Sequence, residues 1–196
     1  MGLKRIISSG QAGVERAALD TARKHLIYYW SGWVPRGRLA EDGELQDSYF
    51  NVDRIGCGLE ECHKSRTFTA RHRNIRDSDA TLILRPSSMG TKLPEAVKLI
   101  IKTCRKLDKP YRIFDPYKTG KVPTAVKWIL EYELDDREPG ESNEIQSLNV
   151  VGPKESDCQG IYDRTSIFFG DVLRYVSQYE DWGIKIWALK HKPKRK

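Results

Sequence analysis

The residues best suited to binding chemistry are Ser8-Ser9-Gly10-Gln11-Ala12-Gly13. They follow a short apolar run, Ile6-Ile7, and lead into Val14-Glu15-Arg16-Ala17-Ala18-Leu19-Asp20, a run of good helix formers. The order is strand, glycine-punctuated turn, helix. A helix starting there aims unpaired backbone N–H groups and the positive end of its dipole into the turn. Small residues let a ligand approach that backbone, and the fitting ligand is an anion, above all a phosphate. Gly10 and Gly13 are the only glycines of the turn, so GxGxxG is absent, and no Gly-Lys-Ser/Thr follows. Without a ligand the same residues read as a tight strand-to-helix turn.

Three more polar segments follow β-like runs: Pro35–Gly43, Pro86–Thr91 and Gly152–Gly160. In an open parallel sheet, loops leaving the C-terminal ends of strands gather on one edge, and ligands bind where the strand order reverses. This reading puts Ser8, Ser9, Gly10, Gln11, Gly13, Arg16, Arg36, Arg38, Asp42, Ser87, Ser88, Gly90, Thr91, Lys154 and Glu155 at the ligand. Arg16, Arg36, Arg38 and Lys154 would add charge-assisted bonds to a phosphate. Each has a plainer alternative. Arg16 stands four residues before Asp20, the spacing of a surface pair. Arg36 and Arg38 belong to a mixed-sign loop ending Glu41-Asp42-Gly43 that can pair with itself, and Lys154-Glu155 can be a solvated turn. Asp77-Ser78-Asp79 precedes its strand, so it belongs at the opposite edge and reads as turn chemistry.

Alternating β-like runs and helical patterns must position these loops, which argues for an α/β fold with a mainly parallel sheet. The expected order is strand Lys4–Ser8, helix Gly13–His25, strand Leu26–Trp33, a polar loop from Val34 to about Gly58, and a weak helical segment within Leu59–Asn74. Strand Ala80–Leu84 follows, then a helix whose Leu93, Ala96, Val97, Ile100, Ile101, Cys104 and Leu107 form one apolar face. Next come strand Tyr111–Phe114, a helix near Val122–Tyr132, an acidic loop 133–144, strand Ile145–Val151, and a long helix through Ile161 and Val176. A last run, Ile184–Leu189, reads as an added edge strand.

One domain, residues 1–189, with a basic tail 190–196, is expected for a chain of 196 residues. No apolar stretch approaches the ~20 residues that span a bilayer, and Lys4-Arg5 leads straight into a strand, so the reading is a cytoplasmic protein without a signal peptide. Cys57-x4-Cys62-His63 is spaced too loosely, with no second pair nearby, to read as a zinc site. The net charge of +7 favours anionic partners. Part of it lies in the tail, which reads first as a solvated terminus.

Taken together these segments resemble a known family. Ser8 to Asp20 looks like the SGGQTGVDRAALD signature of the molybdenum carrier family, in the circularly permuted YpsA-like branch of the SLOG superfamily, relatives of the Lonely Guy proteins. Gly32-Trp33-Val34-Pro35-Arg36-Gly37-Arg38-Leu39-Ala40-Glu41-Asp42-Gly43, Asn74–Leu84 and Leu148–Ser156 match in the same order. Ser9 stands for a family glycine, Ala12 for a threonine and Glu15 for an aspartate; these departures bear on the phosphate contacts and not on the fold. The stretch Asp47–His72 does not align cleanly. The resemblance implies a Rossmann-like three-layer α/β/α sandwich, a phosphorylated pterin of the molybdenum cofactor type or a nucleotide as ligand, and relatives that often assemble into homo-oligomers. A molybdenum ion would come with the pterin.

Three functions compete. The first is a carrier or sensor of a phosphorylated pterin or nucleotide. The second is a phosphoribohydrolase-like enzyme, but Glu95 comes one residue late after Gly90-Thr91 for the Lonely Guy pattern, a rotation of about 100° on a helix; Glu41, Asp42 or Glu155 would have to replace it. The third is a nucleic-acid-binding module, motivated by charge alone.

Overall fold

The computed structural model describes residues 2–25, 28–90, 93–130 and 145–190, the last eleven of these as backbone only. Six strands form one sheet: β1 (Arg5–Ile7), β2 (Tyr29–Val34), β5 (Gly58–Glu61), β6 (Ala80–Leu84), β7 (Tyr111–Phe114) and β8 (Ser147–Val151). Their order is β5-β2-β1-β8-β6-β7 and every pairing is parallel. Chain direction across the sheet therefore reverses around β8, which lies between β1 and β6. A two-stranded antiparallel hairpin, β3 (Leu39–Ala40) and β4 (Gly43–Glu44), projects from the segment after β2.

Among the described residues, five α-helices cover the sheet: α1 (Val14–Lys24), α2 (Thr67–Arg76), α3 (Glu95–Lys106), α4 (Val122–Leu130) and α5 (Ile161–Lys190). Strand alternation sends Ile6, Leu82, Leu84, Leu148 and Val150 to one face, where they pack on α1, α4 and α5. Ile83 and Val151 point the other way, onto Ile75 of α2 and Val97, Ile100, Ile101 and Cys104 of α3. The central strands are buried on both sides, as all-parallel sheets require. The result is a three-layer Rossmann-like sandwich.

Several boundaries differ from the sequence reading. The helical segment expected within Leu59–Asn74 is α2, but it fills only the later part of that stretch. The first residues of the stretch are edge strand β5, and α2 begins at Thr67. β5 buries a single side chain, Leu59, so it leaves no apolar alternation. The polar loop 34–58 contains the hairpin and a short 3-10 turn, Asp47–Tyr49. Ile184–Leu189 is not a strand: α5 runs unbroken to Lys190, because no proline interrupts the pattern. Asp79 does lie at the opposite edge, where its carboxylate accepts from the amides of Gln146 and Ser147 at 3.0 and 2.7 Å and fixes the entry to β8. The acidic loop 133–144 and tail residues 191–196 fall outside the described residues. Among the described residues, no helix is long and apolar enough to cross a membrane.

Candidate functional site

The turn between β1 and α1 is held from within. The Ser8 hydroxyl donates to the Val150 carbonyl at 2.8 Å, Gln11 Nε2 to the Leu39 carbonyl at 2.8 Å, Arg16 Nε to the Gly10 carbonyl at 3.0 Å, and the Ser9 hydroxyl to Glu15. Ser8, Ser9, Gly10 and Gln11 are buried by these contacts. Ala12 and Gly13, also buried, border a cavity beside the turn. Gly13 has φ +91°, and a Cβ there would stand 2.7 Å from the Glu155 amide nitrogen and 2.8 Å from the Lys154 carbonyl carbon and the Pro153 oxygen. Only glycine lets the two loops touch. The first amide of α1, Val14 N–H, then donates to the Pro153 carbonyl at 3.3 Å.

This crossing divides the C-terminal rim of the sheet into two cavities. One, of about 330 Å³, is bordered by Arg71, Arg85, Met89, Val97, Gly152 and Lys154. Its charged side chains are three cations and one carboxylate, Asp157. Pro94, Ala96 and Val97 also border it, so the first turn of α3, where backbone N–H groups lack intrahelical partners, faces inward. Arg71 is held by Glu15, 1% exposed, through Nη2 at 2.6 Å and Nε at 2.7 Å. Arg85 donates to the Gly90 carbonyl and thereby ties the β6–α3 loop to the cavity. Gly10, Gly90 and Gly152 thus belong to loops of one rim.

The other cavity, of about 620 Å³, is bordered by Gly13, Arg16, Asp20, Asp42, Tyr49 and Tyr162, among others. Asp20 accepts from the Tyr49 hydroxyl at 2.6 Å and from the Tyr162 hydroxyl at 2.8 Å. Burial first, and this hydrogen bond second, push the Tyr162 phenol up to about 12 and the Tyr49 phenol higher still. Arg16 does not pair with Asp20. It grips Asp42 on the hairpin tip in bidentate fashion, Nη1 at 2.6 Å and Nη2 at 3.0 Å, and this hydrogen bonding holds the Asp42 carboxyl below its usual range.

The remaining sequence-named residues divide. Lys154 borders the cationic cavity and stands 3.8 Å from Glu41. Glu155 caps α5, accepting from the amides of Gly160 and Tyr162, so that helix N-terminus is filled by the chain's own carboxylate. Arg38 borders neither rim cavity, pairing with Asp47 at 2.7 Å and lying 4.1 Å over the Phe50 ring. Arg36, Ser87 and Ser88 are exposed and border neither cavity. Ser87 accepts from Lys118 and its amide donates to Asp115. Thr91 lies outside the described residues. Glu95 is 86% exposed and pairs with Lys98, turned out as its late position implied. Arg71 and Arg85 were not singled out from sequence, because one sits in the segment without clear periodicity and the other directly ends an apolar strand. The cysteines Cys57, Cys62, Cys104 and Cys158 are free thiols. Among the described residues, no group of three or more His, Cys, Asp or Glu could hold a metal ion. A groove of about 680 Å³ between α4 and α5 carries none of the sequence-named residues.

Residues 6–173 match the profile of the circularly permutated YpsA SLOG family. The chain is also similar to a crystal structure described as "Putative molybdenum carrier protein", from Syntrophus aciditrophicus SB. The two share 31% identity and a TM-score of 0.70, over 88% of this chain and 96% of that one. Among curated proteins, none matches.

Proposed function

Because this chain belongs to the circularly permuted YpsA family of SLOG proteins, we propose that it is a binding protein for a phosphorylated small molecule, a pterin phosphate or a nucleotide, gripped in the cavity between β6, β8 and α3. One observation carries the reading: Arg71, Arg85 and Lys154 converge there with the Gly152 backbone and the first turn of α3, where the strand order reverses. All these groups are N–H donors, and phosphate oxygens are acceptors. The guanidinium of Arg71 is fixed in advance by buried Glu15, so little side-chain freedom is lost on binding. The name of the similar structure fits a carrier whose cargo is molybdenum on a pterin. In that case the chain grips the phosphate and the metal stays on the pterin. The reading takes residues 1–189 as one cytoplasmic binding domain.

Thermal denaturation against a panel of pterin phosphates and nucleotides tests it. A ligand at a hundred times its Kd adds about 2.7 kcal/mol, a rise of roughly 5–10 °C at about 2–4 °C per kcal/mol. Lys154→Ala and Arg85→Lys, which keeps the charge and loses the planar fork, should abolish most of that rise. No stabilisation by any of these compounds at millimolar concentration overturns the proposal.

A further inference from the structure

The hairpin β3–β4 places two neighbouring carboxylates on two groups built to hold oxyanions. Asp42 lies in the fork of Arg16, whose Nε is itself anchored on the Gly10 carbonyl at 3.0 Å. That arrangement presents two parallel N–H donors in fixed orientation, the geometry that takes a phosphoryl group as readily as a carboxylate. Glu41 accepts from the Ser156 amide at 3.1 Å and from the Ser156 hydroxyl, with the Lys154 ammonium 3.8 Å away. A backbone amide, a hydroxyl and an ammonium around one carboxylate form a second oxyanion position.

We propose that Glu41 and Asp42 are internal stand-ins for a diphosphate, and that the two phosphoryl groups of a diphosphate-bearing ligand displace them and swing the hairpin off the rim. The inference rests on reading this rim as an anion site, and it names the ligand class. The two positions are filled by consecutive residues, whose Cα atoms lie about 3.8 Å apart. Their donors come from segments that meet, since Gly13 at the head of α1 touches the Lys154–Glu155 backbone. A single phosphate fills one position; a diphosphate fills both. The hairpin is suited to release. It has two residues in each strand, too few to be stable alone, and Leu39 is 56% exposed. Besides the two carboxylates, the Gln11 side chain holds it through the Leu39 carbonyl.

A closed hairpin lowers apparent ligand affinity by the fraction of molecules that are open. Titration calorimetry with inorganic pyrophosphate and with orthophosphate, on the full chain and on its Glu41→Gln/Asp42→Asn variant, reads that fraction. The variant should bind pyrophosphate about tenfold tighter and change orthophosphate binding by no more than about threefold. In the unmodified chain, pyrophosphate should speed hydrogen exchange at the Leu45 amide, which donates to the Arg38 carbonyl at 2.9 Å. Equal pyrophosphate affinity in both proteins overturns the proposal, and so does an equal gain for both anions, which reports only the removal of two negative charges. If the variant fails to fold, the exchange measurement on the unmodified chain decides, and no acceleration overturns it. Nucleotide binding without any pyrophosphate effect on the hairpin sinks this inference and leaves the rim reading standing. Absence of binding by pyrophosphate, orthophosphate and nucleotides alike sinks both.

Discussion

Replacing Gly13 by alanine tests whether the two loops that build the rim depend on each other. The new methyl would adopt φ +91°, ψ −131° at the head of α1, a region that costs a side-chain-bearing residue about 1–3 kcal/mol. It would also stand 2.7–2.8 Å from three backbone atoms of Pro153, Lys154 and Glu155. Backbone cannot rotate aside as a side chain does, so the loops must separate, at a cost comparable to core overpacking, about 1–3 kcal/mol. The sum, about 2–6 kcal/mol, is a large share of the 5–15 kcal/mol typical of a domain. Two glycines calibrate it. Gly43 has φ +117° with nothing within 4 Å of a Cβ, and Gly120 also has open space without a positive φ. Urea unfolding at constant m-value should rank the alanine variants Gly120, Gly43, Gly13, from near-neutral to most destabilised. A Gly13 variant no less stable than the Gly43 variant would refute the argument that the contact with Pro153–Glu155 sets the rim.

Other consequences are equally measurable. Arg71→Ala strands the carboxylate of Glu15, 1% exposed, and should cost about 3–5 kcal/mol in urea unfolding, with part recovered in the Arg71→Ala/Glu15→Gln double variant. The folded Asp42 carboxyl titrates below its usual 3.8, so its clasp is intact above that value and is lost as pH falls through the depressed one. The Asp42 carboxyl resonance should therefore titrate below its usual value, and Asp42→Asn should remove that low-pH transition. The Tyr162 phenol is raised from 10.0 to about 12, so its contribution is whole below pH 10 and disappears as pH rises toward about 12. Ultraviolet titration should show Tyr49 and Tyr162 among the late-ionising tyrosines, and Asp20→Asn should bring both earlier by removing the acceptor they share.

The sheet was legible in the sequence because its central strands are short apolar runs and its helices carry clean 3.6-residue faces. The strand–turn–helix at Ser8–Asp20 was legible because small residues and glycines punctuate it. β5 was not, since an edge strand that buries only Leu59 carries no alternating signal. The end of α5 was misread because Ile184, Ile186 and Leu189 have β-like composition, while helix continuity was set by the absence of a breaker. The site was half legible. Lys154 and Gly13 are where loop convergence puts them, but Arg71 and Arg85 reach the cavity through tertiary packing, and no local spacing marks that. Arg38 ends away from the rim because Asp47, Glu61 and the Phe50 ring hold it, contacts that no local spacing marks. The contacts Arg16–Asp42 and Ser156–Glu41 span 26 and 115 residues, beyond the reach of any motif. Glu155 borders the larger cavity, as a rim residue should, but its second role as the α5 cap depends on a loop conformation that spacing does not reveal.

Amide chemical-shift mapping with a phosphorylated pterin or AMP tests the central claim most directly. The account predicts that the largest changes fall on Gly152, Lys154, Ala96 and Val97 around the cationic cavity, and that Lys154→Ala and Arg85→Lys diminish them. Changes confined to Val126 and Tyr175 in the α4–α5 groove, or none at saturating ligand, would contradict it.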